Sequence, residues 1–284
     1  MPMLISVIIP HKNSPKKLDR LLTSIPDQKN IEIIIVDDNS DACLRPGRTD
    51  FINSNVIHLD NINDNNAGTA RNLGLQNACG EWIIFADADD KFIKENFLLL
   101  LNTLYEEKKS DIIFYKCLAL KEETEEASNR ASLYSNLLYV GADEYKNIAY
   151  NWLVPWGKAI RKDIIIKNNI KFDSRMASND VMFSTRLAYH INNISIIHTP
   201  LYICYESLSS LTATLNPAKA YDRLGALVDR NEFLMKNQVK IKKDYGFTYF
   251  FKSKPLIYNM KKYKLYIKWM IVTIQVMSES ILNK

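Results

Sequence analysis

Two short runs rich in β-branched residues, 4–9 and 31–36, with one helix-length segment between them, constrain the fold of this chain more than any other feature. Each run is too short for a buried helix, and each stops abruptly. The first ends at Pro10, which has no N–H to continue a central ladder, and the second at Asp37-Asp38-Asn39-Ser40, a turn-forming cluster. Between them Ser14-Pro15 supplies an N-cap and a first-turn proline. Leu18, Leu21, Leu22 and Ile25 then recur at i, i+3, i+4 and i+7, so a helix is expected to end before Pro26. Strand, helix, strand closes as a right-handed parallel unit. Residues 56–59 and 82–85 add two further strands, separated by a helix that begins near Gly68 and turns Ala70, Leu73 and Ala78 inward. A doubly wound α/β sheet accommodates this order.

In such sheets ligands bind beyond the carboxyl ends of the strands, where loops converge and helix N-termini offer unpaired N–H groups. The polar residues fall there: Pro10-His11-Lys12-Asn13 after strand one, Asp37-Asp38-Asn39-Ser40 after strand two, Asp87-Ala88-Asp89-Asp90 after strand four. Five carboxylates from two loops repel one another, and a hard divalent cation is the natural compensation. Oxygen-only ligands point to Mn²⁺ or Mg²⁺ rather than zinc. Taken singly, each acidic cluster reads as a solvated turn or helix cap; their combination at strand ends expected side by side favours a site. No G-x-G-x-x-G follows strand one and no G-x-x-x-x-G-K-[ST] occurs, which excludes the usual dinucleotide and P-loop cradles.

The segments V-I-I-P-H-K-N-S (7–14), I-I-V-D-D-N-S (34–40), N-N-A-G-T-A-R-N-L-G-L (65–75) and G-E-W-I-I-F-A-D-A-D-D (80–90) together resemble glycosyltransferase family 2. W-G-K-A-I-R-K (156–162), F-D-S-R-M-A-S-N-D-V-M-F (172–183) and L-Y-I-C-Y-E-S-L-S-S-L-T (201–212) extend the resemblance to about residue 214. It implies a GT-A fold, a mixed sheet that binds a nucleotide sugar, and inverting, metal-dependent transfer of the kind used to build bacterial surface polysaccharides. It also implies a layout: a GT-A domain over residues 1–215, with a donor half to about 120 and an acceptor half from 121, then a helical extension over 216–284. By the same resemblance Asp38 meets the base of the donor, a uracil, with Pro10, His11 and Asn13 lining the pocket. Asp37, Gly68 and Ala88 belong to the same donor-side set, and Arg71 faces the diphosphate or sugar. Asp87 and Asp89 are the acids of a D-x-D motif, Asp87 near the ribose and Asp89 on the metal, while Asp90 orients the sugar. Asp180 takes the place of the catalytic base, drawing a proton from the acceptor hydroxyl. Residue by residue, Arg71 also reads as a solvent-facing first-turn residue, and Asp180 as an acid favoured at a helix N-terminus.

Departures from the family pattern are informative. Lys12 stands where an aromatic residue commonly stacks on the base, Asn179 replaces the usual glutamate before Asp180, and Glu206 stands where a basic residue is common. Trp156, Asn179 and Glu206 are the acceptor-side candidates; Trp152 and Trp156 read either as a sugar-stacking platform or as core. The Q-x-x-R-W motif of processive synthases is absent, so one sugar per encounter is expected.

In the second half Phe97, Leu98, Leu101, Leu104 and Tyr105 have helical spacing, 112–120 reads as a strand, and 121–126 is a charge run suited to a solvated loop. His58, His190 and His198 share no metal-site spacing. The four cysteines form no C-x-x-C, and neither a signal peptide nor a membrane span is recognisable, so a cytoplasmic protein is expected. The net charge of +5 is too small for a dedicated nucleic-acid binder, and it is unevenly placed. Ten lysines face one acid, Asp244, between 236 and 268, interleaved with Phe247, Tyr249, Phe250, Phe251, Tyr258, Tyr263, Tyr266 and Trp269. Because family acceptors are often lipid-linked saccharides, residues 236–284 are expected to meet an anionic membrane surface peripherally, packing on the sheet being the alternative. Two other functions fit less well: a metal-dependent nucleotidyl- or phosphotransferase, and a catalytically silent saccharide-binding protein.

Overall fold

The computed structural model describes residues 3–46, 55–62, 66–207, 216–241, 243–253 and 263–282. Residues 1–2, Asn65, residues 208–212, Tyr258 and four of the lysines, Lys242, Lys254, Lys261 and Lys262, which entered the sequence reading, lie outside that set.

Strands β1 (Ile5–His11), β2 (Ile31–Asp37), β3 (Val56–Asp60) and β4 (Trp82–Phe85) form a parallel half-sheet, with α1 (Pro15–Thr23) and α2 (Ala67–Asn77) as crossovers. β5 (Lys91–Phe92), α3 (Lys94–Glu106), β6 (Ile112–Lys121), α4 (Ser132–Ser135) and α5 (Tyr145–Asn151) follow. Next come β7 (Lys158–Arg161), α6 (Lys162–Lys167), α7 (Val181–His190) and β8 (Ile194–Glu206). The chain closes with α8 (Pro217–Lys236), α9 (Phe247–Ser253) and α10 (Tyr263–Leu282). All eight strands join one mixed sheet in the order β3-β2-β1-β4-β7-β6-β8-β5, so the expected doubly wound α/β architecture is present. β7 runs antiparallel to both β4 and β6, and β6 pairs in parallel with β8.

The parallel half reverses direction at β1: the chain moves out through β2 and β3, then returns to place β4 on the other side. Such a switch point opens a crevice beyond the strand ends. The two acidic loops therefore flank the loop after β1, with one strand between them rather than directly adjacent.

β1 and β2 are buried almost throughout, as expected of strands covered on both faces. At their amino ends Glu32 lies opposite Ser6 in register and is itself buried. Its Oε1 accepts from Ser6 Oγ, from the Cys79 backbone N–H and, at 3.1 Å, from Gly80 N–H. Two local expectations are corrected. Ser14 makes no side-chain cap on α1; its backbone N–H instead donates to His11 Nε2 at 3.2 Å. On α3, Leu98 and Tyr105 face outward while Leu100 takes the inward position, because the buried face follows Phe97, Leu100, Leu101 and Leu104.

Beyond the sheet, α8 joins two cores. Leu234 belongs to the main one, whereas Leu224 and Val228 pack with Tyr266, Trp269, Val272 and Val276 of α10. Among the described residues no helix is long and apolar enough to cross a membrane.

Glu32→Ala leaves the Ser6 hydroxyl and the Cys79 N–H without their shared acceptor, while Gly80 N–H keeps Ser6 Oγ at 2.7 Å, and each such loss costs about 1–3 kcal/mol. The expected outcome is a stability loss of about 3 kcal/mol, read as a lower denaturation midpoint, with nucleotide affinity unchanged because the network sits at the far end of the strands. An unchanged midpoint would show that these contacts contribute nothing.

Candidate active site

The crevice is built first by a bracket of hydrogen bonds that joins the loops after β1 and β2. His11 is buried, its Nδ1 lies 3.0 Å from Asp37 Oδ1, and its Nε2 accepts from Ser14 N–H. Because Nε2 accepts, the ring proton sits on Nδ1 and is donated to Asp37. Ser40 donates to Asp37 through Oγ at 2.5 Å and through its backbone N–H at 3.0 Å. Burial pushes the Asp37 carboxyl up, but the Ser40 and His11 hydrogen bonds outweigh it and hold the group below the usual carboxylate range. Asn13, at a left-handed φ of 51°, exchanges hydrogen bonds with Asp41, its Oδ1 accepting from the backbone N–H at 2.8 Å. His11 and Asp37 therefore have their polar atoms engaged in shaping the floor of the crevice, and Pro10 lies half-buried beside them.

Asp38 is differently placed. It is buried, its Oδ1 accepts from Asn61 Nδ2 at 2.7 Å, and burial raises its pKa against that hydrogen bond. Asn61 also donates to Thr69 on α2, so the β3 end ties Asp38 to the helix that carries Arg71.

The loop after β4 holds the densest charge. Carboxylate oxygens of Asp87, Asp89 and Asp90 lie within 4.8 Å of one another, and no histidine joins them among the described residues. Burial first, and the neighbouring acids second, raise the pKa of Asp89 and push that of Asp90 well above the usual range. Asp90 is inward-facing and accepts from Tyr205 N–H at 2.8 Å, while Asp87 and Asp89 remain partly open. Ala88 between them is buried, and Asp87 N–H donates to the Tyr202 hydroxyl at 2.9 Å. Crowded oxygen-only donors, with Asp89 and Asp90 both raised, fit a hard divalent cation such as Mn²⁺ or Mg²⁺, with Asp87 and Asp89 as the accessible ligands.

Arg71 joins this cluster to the opposite wall. It is buried rather than solvent-facing: Nη2 pairs with Asp87 Oδ1 at 2.6 Å and Nη1 donates to Asn179 Oδ1 at 3.2 Å. Gly68, one turn earlier, permits the approach, since a Cβ there would stand 2.3 Å from the Asp173 carbonyl oxygen and 2.9 Å from Asn179 Cβ. Asp180 follows at the start of α7 without capping it. Burial raises its pKa, Arg71 and Lys158 oppose the rise, and Asp87 adds to it. A carboxylate so placed is a competent proton acceptor.

Other candidates are not drawn into this group. Trp156 is 2% exposed and stacks on Tyr202 with centroids 6.1 Å apart, and Trp152 is fully enclosed, so both belong to the core and neither offers a face to a sugar. Glu206 lies exposed at the end of β8 and accepts from Ser128 Oγ.

Sequence reasoning missed Arg130, which donates to the Tyr205 carbonyl at 3.0 Å and whose guanidinium is held above its ordinary range by Asp90, Asp87 and Asp89 despite burial. It missed Lys158, buried beside the start of α7. It also missed Arg20, which donates to the Asp89 carbonyl and lies 3.8 Å over the Tyr205 ring. Only Lys158 had a local signal, a cation inside an apolar strand.

A family model for glycosyl transferase family 2 matches residues 6–167. The chain is 26% identical over 232 residues to a cholesterol galactosyltransferase of Borreliella burgdorferi, covering 75% of this chain and 63% of that protein. It is 27% identical over 215 residues to the poly(ribitol-phosphate) beta-N-acetylglucosaminyltransferase TarS of Staphylococcus aureus, covering 70% of this chain but 35% of TarS. The chain thus spans less than two thirds of the length of either relative. The structure of TarS 1–349 in complex with UDP-GlcNAc matches it with a TM-score of 0.68 at 21% identity, over 96% of this chain and 81% of that one. A mannosyltransferase from Pyrobaculum calidifontis in complex with GDP-Man and Mn²⁺ matches with a TM-score of 0.52 at 14% identity, over 100% and 78%. At these identities the two structures establish a shared fold.

The raised pKa values carry a sign. An acid whose folded-state pKa lies above its unfolded value destabilises the native state when ionised, and the penalty is relieved as pH falls through the folded value. Mn²⁺ at about a hundredfold excess over its Kd is therefore expected to raise the melting midpoint by about 5 °C at pH 7. The rise shrinks as the pH falls and Asp89 and Asp90 take up protons. Asp89→Asn raises the metal-free midpoint and abolishes the response; no response to Mn²⁺ at pH 7 in scanning fluorimetry would remove the cation site.

Proposed function

Since this chain belongs to glycosyl transferase family 2, we propose that it transfers one hexose or N-acetylhexosamine from a UDP-sugar to a hydroxyl of a saccharide acceptor, with inversion at the anomeric carbon. One observation carries this reading: Arg71 binds Asp87 on the donor side and Asn179, next to Asp180, on the other, so the acids suited to a diphosphate and the acid suited to a hydroxyl face one crevice. The likeness of the fold to a TarS structure holding UDP-GlcNAc supports a uridine nucleotide.

In this mechanism Asp38, held by Asn61, accepts from the base N–H, and the His11–Asp37–Ser40 bracket with Pro10 and Asn13 shapes the pocket around it. Asp87 and Asp89 would hold a divalent cation, which would supply positive charge against the leaving diphosphate. Asp180 takes the proton from the acceptor hydroxyl as the new C–O bond forms, an effect worth about 10²–10⁴-fold. Arg71 keeps the two walls in register. The attacking oxygen arrives opposite the leaving group, so no covalent enzyme intermediate is needed.

The acceptor is proposed to be lipid-linked, as in surface polysaccharide assembly, with the C-terminal helices resting on the cytoplasmic face of the membrane. Two features support this. Ile267, Met270, Ile271 and Ile274 form an outward apolar stripe on α10, between 37% and 67% exposed, on the side away from Trp269 and Val272. Lys252 and Lys264 lie exposed on the same pair of helices, which suits an anionic lipid surface.

Asp180→Asn is expected to retain UDP binding by calorimetry while transfer falls about 10²–10⁴-fold. Turnover at the wild-type rate would remove Asp180 as the base. Independently, the protein should sediment with phosphatidylglycerol vesicles at low salt and be released at high salt. Ile271→Glu with Ile274→Glu should weaken that binding at least about tenfold, given the area each side chain buries. Absence of vesicle binding at low salt would sink the membrane reading without touching the chemistry.

A further inference from the structure

Lys158 lies in β7 at 1% exposure and makes no ion pair among the described residues. Its Nζ donates to the Trp152 carbonyl at 3.1 Å and to Ser184 Oγ at 3.0 Å. Both acceptors are held. Ser184 Oγ donates in turn to the Leu153 carbonyl at 2.9 Å, and the Ser184 N–H closes the first turn of α7 onto the Asp180 carbonyl at 2.9 Å. The turn that presents the Trp152 carbonyl is fixed by the indole N–H, which donates to the Trp156 carbonyl at 2.8 Å. Gly157, at φ +79°, leaves room for that indole: a Cβ would stand 2.4 Å from the ring.

A buried ammonium group bonded only to neutral oxygens is costly, and an apolar side chain of similar length would suit the core better. Its place in the molecule supplies a reason for its presence. Asp180 and Ser184 are one helical turn apart on the same face of α7, so the Nζ that binds Ser184 sits behind Asp180. The groups acting on Asp180 come from four elements: Arg71 from α2, Asp87 from the loop after β4, Lys158 from β7 and Tyr134 from α4. Asp87 opposes its ionisation, and Arg71 is committed to Asp87 and Asn179. Lys158 is the cation of this set that has no carboxylate bonded to it.

We propose that Lys158 is the positioning residue of Asp180: from inside the core it locks the 152–153 turn to the first turn of α7 and sets a positive charge behind the carboxylate that serves as base. The proposal rests on the reading of Asp180 given above. Burial pushes the Lys158 ammonium down to about 7, with the charge of Asp180 working against it. The positive charge is thus full in acid and fades through neutrality. As it fades Asp180 becomes the stronger base, and the two groups titrate as a coupled pair.

The test reads ionisation directly and needs no acceptor. The protein carrying ¹³C-labelled aspartate and ¹⁵N-labelled lysine is titrated by NMR, with Asp180→Asn assigning the Asp180 carboxyl and Lys158→Met assigning Nζ. In the wild type the Asp180 resonance should show a second inflection where Lys158 titrates. In Lys158→Met the Asp180 midpoint should rise by about one pH unit, while Lys158→Arg restores it toward the wild-type value. The melting midpoint of Lys158→Met should equal or exceed that of the wild type near pH 7, as a purely structural lysine would not allow. A wild-type Asp180 curve indifferent to Lys158, or an Asp180 titration midpoint that does not move in a folded Lys158→Met, overturns the proposal. Should Lys158→Met fail to fold, the wild-type curve alone decides. Full turnover by Asp180→Asn is a separate failure, that of the base assignment, and is distinguishable because it leaves the titration coupling intact.

Discussion

Three carboxylates within 4.8 Å of one another, on a four-residue loop, are the constraint to which the surrounding structure responds. Left alone they would repel, take up protons and open the loop. Groups from β8, α2 and the segment after β6 answer them instead. Asp90 is turned inward onto the Tyr205 N–H, the Tyr202 hydroxyl receives the N–H of Asp87, and Arg71 meets the Asp87 side chain. Arg130 brings its charge from beyond β6. These contacts neutralise part of the cluster and leave the open faces of Asp87 and Asp89 for an outside ligand. The loop is thereby fixed in place yet incomplete in charge, with two carboxylates still open to a cation.

The same economy explains why the mixed sheet matters. A purely parallel sheet would place helices on both faces and leave one crevice beyond the strand ends. Here β7 enters antiparallel beside β4, so the segment after it, through α6 and the 173–179 loop, returns across the mouth of that crevice and delivers Asn179 and Asp180 opposite Asp87. Gly68 is the contact at which the two walls meet, and the close fit there leaves no room for a side chain. The Asp87 wall and the Asn179–Asp180 wall are therefore coupled through packing as well as through Arg71.

The sequence made the first hundred residues legible because apolar runs and carboxylates alternate there with the period of the fold: strand, polar loop, helix. Asp87, Asp89 and Asp38 could be placed at strand ends from that alternation alone, and Asp180 from its resemblance to a family position. What escaped was whatever depends on side-chain direction. Trp156 and a surface platform residue have the same local sequence, and only the fold shows that Tyr202 covers it. Leu98 and Leu100 differ by two positions on one helix, and the choice between them was made by what α3 packs against. Ser14 stands at the cap position of α1 without a side-chain cap bond, and it is its backbone N–H that is used, on His11 Nε2. Arg130 and Arg20 reach the acidic loop only in three dimensions, from segments with no signal of their own.

The buried lysine shows why stability and function must be weighed separately at such a site. If cores selected only for packing, position 158 would carry an apolar side chain, since it is 1% exposed. The hydrogen bonds to Trp152 and Ser184 satisfy two of its three protons and reduce the penalty without removing it. A residue that lowers stability while every neighbour is arranged to hold it is better understood by what its charge reaches than by what its stem touches. What it reaches is the first turn of α7, where the charge of Lys158 favours the ionised form of Asp180 and the charge of Asp87 opposes it.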